Sequence, residues 1–117
     1  MIKIHRLRSD ASGKTFFEDV PVDYVRQTGA GRMSLQVPAT GFVFRQVVLP
    51  YDCDWHPAPR RQLVVNLDNG VQITAGTGES RTIGQGEILW VEDVTGQGHL
   101  SKAINERLRH TIDVTLD

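Results

Sequence analysis

Cysteine is nearly absent. Cys53 is the single one among 117 residues, which excludes an internal disulfide framework and a cysteine-rich structural zinc site. An excess of one charge is missing as well: 13 Lys and Arg stand against 14 Asp and Glu, a formal net charge of −1. Such a balance offers no electrostatic footprint for nucleic acid or an anionic membrane. No apolar run approaches the ~18 residues of a membrane span, and the opening MIKIHRLRSD lacks the apolar core of a signal peptide. The expectation is a cytoplasmic protein with neither nucleic-acid nor membrane partners. Helical periodicity is scarce too; its best candidate, Tyr24–Thr28, is short and uncapped and reads as a turn. No internal repeat, low-complexity tract or linker is visible. At about 100–200 residues per domain, 1–117 is one domain, and such a chain buries roughly two-thirds of its unfolded surface without needing staples.

What is present is a series of short β-type segments. Strands are expected over Ile2–Arg8, Lys14–Asp19, Arg32–Val37, Phe42–Leu49, Arg61–Leu67, Val71–Ala75, Glu79–Ile83, Glu87–Val91, Gly98–Ile104 and Arg109–Leu116. Between them lie Gly, Pro, Asn and Asp clusters, which supply positive or preset φ. Asn69-Gly70, between LVVNL and VQITA, predicts a hairpin with a primed turn. Thr95-Gly96-Gln97-Gly98 reads as a loose or functional-side loop. Turn signals every 8–12 residues argue for an all-β sandwich or barrel. In the last strand His110 shares the apolar face of Leu108, Ile112 and Val114, while Arg109, Thr111 and Asp113 take the other. Phe42, Phe44 and Gln46 likewise oppose Val43, Arg45 and Val47. Apolar residues on both faces suit a sheet covered on each side. In so short a chain the second cover is expected to be another subunit, giving a homodimer.

The densest stretch is Asp52–Gln62, followed by a second at Gly84–Asp93 and then Gly98-His99. Together they resemble the two motifs of the cupin superfamily. The first motif reads roughly G-x5-H-x-H-x3-4-E-x6-G; the second opens on a P-x-G turn and carries a late His. His56 matches the first His, Ala58 falls where the second would be, and Gln62 falls where the Glu would be. Gly70 matches the closing Gly to within a residue. Gly84-Gln85-Gly86-Glu87 resembles P-x-G-D with Gly for Pro, and His99 takes the place of the late His. The resemblance covers about residues 40–117. Residues 1–38, including Thr15–Asp19, look like the extra N-terminal strands of small single-domain cupins, ahead of the conserved barrel at 39–117. It implies an all-β double-stranded β-helix, the cupin or jelly-roll barrel, with a site inside one mouth. In typical members three His and one Glu hold a divalent transition metal there.

Carried onto this sequence, the metal candidates are His56, Gln62 and His99, for an ion such as Zn, Ni, Fe or Mn. Two imidazoles and an amide oxygen form a neutral shell, weaker than one with a carboxylate. Glu92 or Asp93 could add a carboxylate, or His110 another imidazole. Glu92 and His110 are the candidates for moving a proton, and Trp55 and Trp90 for walling the pocket. Arg45, set among Val43, Val47 and Leu49, is either ion-paired or clamps a ligand carboxylate. Each has a plainer alternative: His110 as a hydrogen-bonded core histidine, the tryptophans as core. Cys53 has no cationic activator except His56. Gly76-x-Gly78 and Gly84-x-Gly86 open no helix, so they are turns and not phosphate cradles. G-x-S-x-G, HExxH and CxxC are all missing.

Three functions remain open. One is a metal-assisted enzyme of isomerase, cyclase or oxygenase type acting on a small molecule. Another is a metal-free cupin that binds a small molecule without catalysis. The third is an interaction protein with a filled barrel. Ala58 is small, which favours a cavity.

Overall fold

The computed structural model describes residues 1–117, and about half of the chain lies in strands, with no helix. The strands are β1 (Ile4–Ser9), β2 (Thr15–Val20), β3 (Arg26–Thr28), β4 (Gly31–Met33), β5 (Gly41–Val47), β6 (Asp52–His56), β7 (Gln62–Asn66), β8 (Val71–Thr74), β9 (Ser80–Ile83), β10 (Ile88–Val91), β11 (His99–Ala103) and β12 (Arg109–Thr115). A six-stranded sheet runs β2-β1-β10-β7-β12-β5 and a four-stranded sheet runs β6-β11-β8-β9. Only β1 and β10 pair in parallel. The chain is all-β, as expected. No ladder joins the two sheets, so they form two packed layers and not a closed barrel. No helix is long and apolar enough to cross a membrane.

Alternation along the strands builds the core. Leu7, Phe17, Val64, Leu89 and Val91 point inward from the large sheet and meet Val71, Ile73 and Ile83 from the small one. Each such side chain contributes roughly 1.5–3 kcal/mol of burial. This apolar cluster fills one part of the space between the layers. The rest is a space lined by polar groups and by one side of this same cluster.

Several local expectations change. Asn69-Gly70 is not a hairpin, because β7 belongs to the large sheet and β8 to the small one. Neither central residue has the positive φ that a primed turn requires. The chain instead turns a corner between layers. A Cβ on Gly70 would sit 2.7 Å from the Ile83 carbonyl oxygen. The buried Asn69 amide ties the corner to Asn105, Arg107 and Leu108. Tyr24–Thr28 reads as a turn in sequence, but Arg26–Thr28 pairs with Gly31–Met33 in a hairpin hydrogen-bonded to neither large layer. The paired part of Arg32–Val37 is accordingly short. Asp52–His56 forms a strand that its polar composition conceals.

The largest change concerns β12. Its burial alternates with Arg109, Thr111 and Asp113 inside, while His110, Ile112 and Val114 lie on the outer side. The polar face is the inner one. It is tolerated because the inward groups are partnered: Thr111 Oγ1 donates to Asp113 (2.8 Å) and Arg109 to Asn66 (2.8 Å).

Candidate functional site

Between the layers lies a cavity of about 560 Å³, a size that suits a small molecule. One end is formed where β6 meets β11. Cys53 and His56 are three residues apart on β6 and by simple alternation would face opposite ways. Their partners on β11, Ser101 and His99, are only two apart, and the register shifts between them. The extra residue is a β-bulge, which re-aims a side chain; Cys53 and His56 both line the cavity. Opposite the bulge, Gly98 has φ near +80°. A Cβ there would overlap the His56 carbonyl oxygen. Glycine is therefore required for the two strands to approach and for the two imidazoles to meet.

The rings of His56 and His99 are 4.7 Å apart, centroid to centroid, and tilted by 52°. His56 Nδ1 lies 2.7 Å from the Asp54 carbonyl oxygen. A carbonyl only accepts, so Nδ1 carries the proton and Nε2 is a free lone pair. His99 Nδ1 lies 2.6 Å from Asp93 Oδ2, and Asp93 is fully buried. Donation to that carboxylate again leaves Nε2 free, the arrangement that orients metal-binding and proton-accepting histidines alike. Asp93 also accepts the Ala58 amide at its own carbonyl (2.9 Å), locking the first motif onto the second. Its Oδ1 is buried without a partner, so the one hydrogen bond of the carboxylate is that to the His99 ring. Gln62 reaches the same cavity from β7.

The other end is basic. Arg109 and Arg45 enter from the large sheet and Tyr51 from the segment before β6. Both guanidinium carbons lie near the Tyr51 ring, 5.6 and 5.9 Å from its centroid. The Tyr51 hydroxyl is 2.9 Å from Ser101 Oγ. Burial holds the Arg109 guanidinium below the ordinary arginine range. Asp113 lies 3.8 Å from Arg45 Nη1.

The structure thus gathers His56, Gln62, His99 and Arg45 around one cavity. The remaining candidates stand elsewhere. Glu92 bonds Arg6 and, at 2.6 Å, Arg61. Burial alone would raise its carboxyl, but hydrogen bonds from those arginines outweigh it and hold the group below the usual glutamate value. His110 is on the outer side, 2.6 Å from Asp68 Oδ2 and 3.0 Å from the Gln46 amide. The His110 amide and ring in turn keep Asp68 below the ordinary aspartate value. Trp55 is exposed, and Trp90 lies beneath the Arg6 guanidinium, 4.4 Å from the ring centroid. Neither lines the cavity.

Sequence reasoning overlooks Cys53, Tyr51, Ser101, Arg109 and Asp113 as lining residues, and Asp93 as the support of His99. The only signal for Arg109 and Asp113 is the polar half of the β12 alternation, which reads as solvent-facing until a cavity is known to lie there.

As for a metal, two imidazoles with free Nε2 atoms are donors of the kind a divalent ion takes, and Gln62 lines the same cavity. Three or more His, Cys, Asp or Glu side chains are nowhere grouped to hold one, so such a shell is neutral. No protein-family model matches the chain, and no curated protein matches it.

Proposed function

We propose that this chain is a small cupin whose two packed layers are an open version of the double-stranded β-helix, and that the cavity between them binds a small molecule. The observation that carries this reading is the histidine pair: two rings 4.7 Å apart, each with Nδ1 engaged and Nε2 free, on the wall of a 560 Å³ space. The cupin resemblance puts its two histidines at these same positions. In the catalytic form of the proposal, His56, His99 and Gln62 hold Zn, Ni, Fe or Mn. The ion supplies Lewis-acid polarisation of a substrate oxygen for an isomerase, cyclase or oxygenase reaction. The chain's own part is to fix both imidazole tautomers, to exclude water with Val64, Val71, Ile73 and Leu89, and to orient the ligand from the basic end.

A metal-free binding function is the second reading, favoured by Ala58. The position where cupins carry another histidine is 4% exposed and packed in the core, so no third imidazole can be recruited there. Elemental analysis of untagged protein, beside a His56→Ala, His99→Ala double variant, separates the two. Near-stoichiometric metal in the wild type and none in the variant supports the enzyme. No uptake by either after incubation with these ions overturns it in favour of the binding protein.

The partner in this proposal is a second copy of the chain. By register Phe42, Phe44, Leu63, Val65, Ile112 and Val114 share the outer face of the large sheet, and Phe44 is 78% exposed. Two such faces meeting would take these side chains out of water, and a face meeting its own copy gives a two-fold dimer.

A further inference from the structure

We infer that the ligand of this cavity is a monocarboxylate with an apolar body, its carboxylate held by Arg109 and Arg45 and its remaining polar function turned toward His56 and His99. The inference deepens the small-molecule reading above and rests on it.

Arg109 is 5% exposed. Arginine is almost never buried this fully unless its charge is paired. Its single side-chain hydrogen bond joins Nη1 to Asn66 Oδ1, a neutral acceptor, at 2.8 Å. Asn66 cannot turn away, because its Nδ2 donates to the Ile83 carbonyl (2.9 Å). The nearby carboxylate, Asp113, makes no hydrogen bond to Arg109. One of its oxygens accepts from Thr111 Oγ1 and the other lies 3.8 Å from Arg45 Nη1. Within the cavity the two guanidiniums therefore share one carboxylate; the other carboxylate that acts on Arg109, Asp68, is exposed and paired with His110 outside the cavity, so this end of the space is left with a positive charge in excess. That is costly in a protein whose only task is to fold. A bound anion removes the cost.

The size of the imbalance selects the anion. One excess positive charge matches a monoanion, whereas a phosphate dianion would leave the site negative. A carboxylate also presents two oxygens to the planar fork of a guanidinium. Beyond the arginines the wall is mainly Val64, Val71, Ile73 and Leu89, which accept hydrocarbon and offer no hydrogen bonds; the Ser101 hydroxyl on the opposite side is engaged with Tyr51. On the large sheet Gln62 stands opposite Thr115 at one end of β12, and Arg109 begins that strand at the other. The amide and imidazoles thus lie at the opposite end from the guanidiniums, and a ligand spanning the cavity is polar at both ends and apolar between.

Calorimetric titration of the full chain with benzoate, 4-hydroxybenzoate and hexanoate, each beside its primary amide, and with inorganic phosphate, tests this. The acids are expected to bind at least about tenfold more tightly than the amides, the loss typical of a charged hydrogen bond. Arg45→Met is expected to weaken the acids by about the same factor and leave the amides unchanged. The Arg45 side chain is partly exposed, so its removal should leave the fold intact by circular dichroism. If that variant does not fold, the acid–amide comparison on the wild type decides alone. Acids and amides binding alike, a folded Arg45→Met binding acids as the wild type does, or phosphate binding more tightly than the acids would each overturn the carboxylate while leaving the cavity a ligand site. Binding of none of the probes would overturn the cavity reading and this inference with it.

Discussion

His99 has its tautomer set by a carboxylate that solvent never reaches. In the wild type, long-range proton–nitrogen correlation should find the ring proton on Nδ1 for both His56 and His99. In Asp93→Ala, His99 should populate the Nε2–H form while His56, bonded to a backbone carbonyl, stays as it was. An Nε2–H signal from His99 in the wild type would sink the assignment. A second residue of equal weight has no side chain at all. Gly98→Ala must place a Cβ into the His56 carbonyl at a φ that L-residues rarely adopt. It should cost about 2 kcal/mol or more, read as a lower urea midpoint. His56→Ala, at the half-buried end of β6, should cost far less stability while still removing one imidazole. The contrast between the two variants separates the architecture of the site from its chemistry.

At the scale of elements, Glu92 clamps the end of β10 to β1 and to Arg61, just ahead of β7, through its two arginines. Its folded carboxyl lies below the ordinary value of 4.5. The stability it lends is therefore complete above that value and is lost as pH falls through the folded one. Glu92→Gln should lower stability at neutral pH by about 1–3 kcal/mol. It should also flatten the acid limb of a melting-temperature profile; an unchanged limb would contradict the clamp. Legibility in the sequence divides along similar lines. Strands with two-residue alternation and flanking glycines, such as Val71–Thr74 and Ile88–Val91, are readable because backbone sterics act locally. The bulge in β6 is not, since it depends on where β11 stands, forty-odd residues away. Asn69-Gly70 misleads because a hairpin and an inter-sheet corner ask for the same residue types. On β12 hydropathy points the wrong way: Ile112 and Val114 look like core, yet Arg109, Thr111 and Asp113 are inside. Polar residues can face inward only where other polar groups await them, and Asn66 is on another strand. The cupin resemblance names His56 and His99, and both line the cavity; no motif names Arg109, which lines it too.

For the whole molecule, the apolar outer face predicts association. Sedimentation equilibrium at micromolar concentration should return about twice the 13.1 kDa chain mass. Phe44→Glu should yield a folded monomer, since that ring is largely outside the protomer's own packing. A wild-type monomer would count directly against the two-fold dimer. The strand order carries a different consequence. The large sheet interleaves distant parts of the chain: β1 lies against β10, and β12 sits between β7 and β5. Until β12 has been synthesised, β5 and β7 have no neighbour to join them, and the edges of both are open. Folding must therefore wait for the late segments and proceed through long-range closure, on the slow millisecond-to-second scale of such topologies. A nascent chain stalled after Leu108 would present two unsatisfied strand edges and the exposed Phe42 and Phe44 to its neighbours. A chain that lacks β12 is therefore the form most open to misassembly.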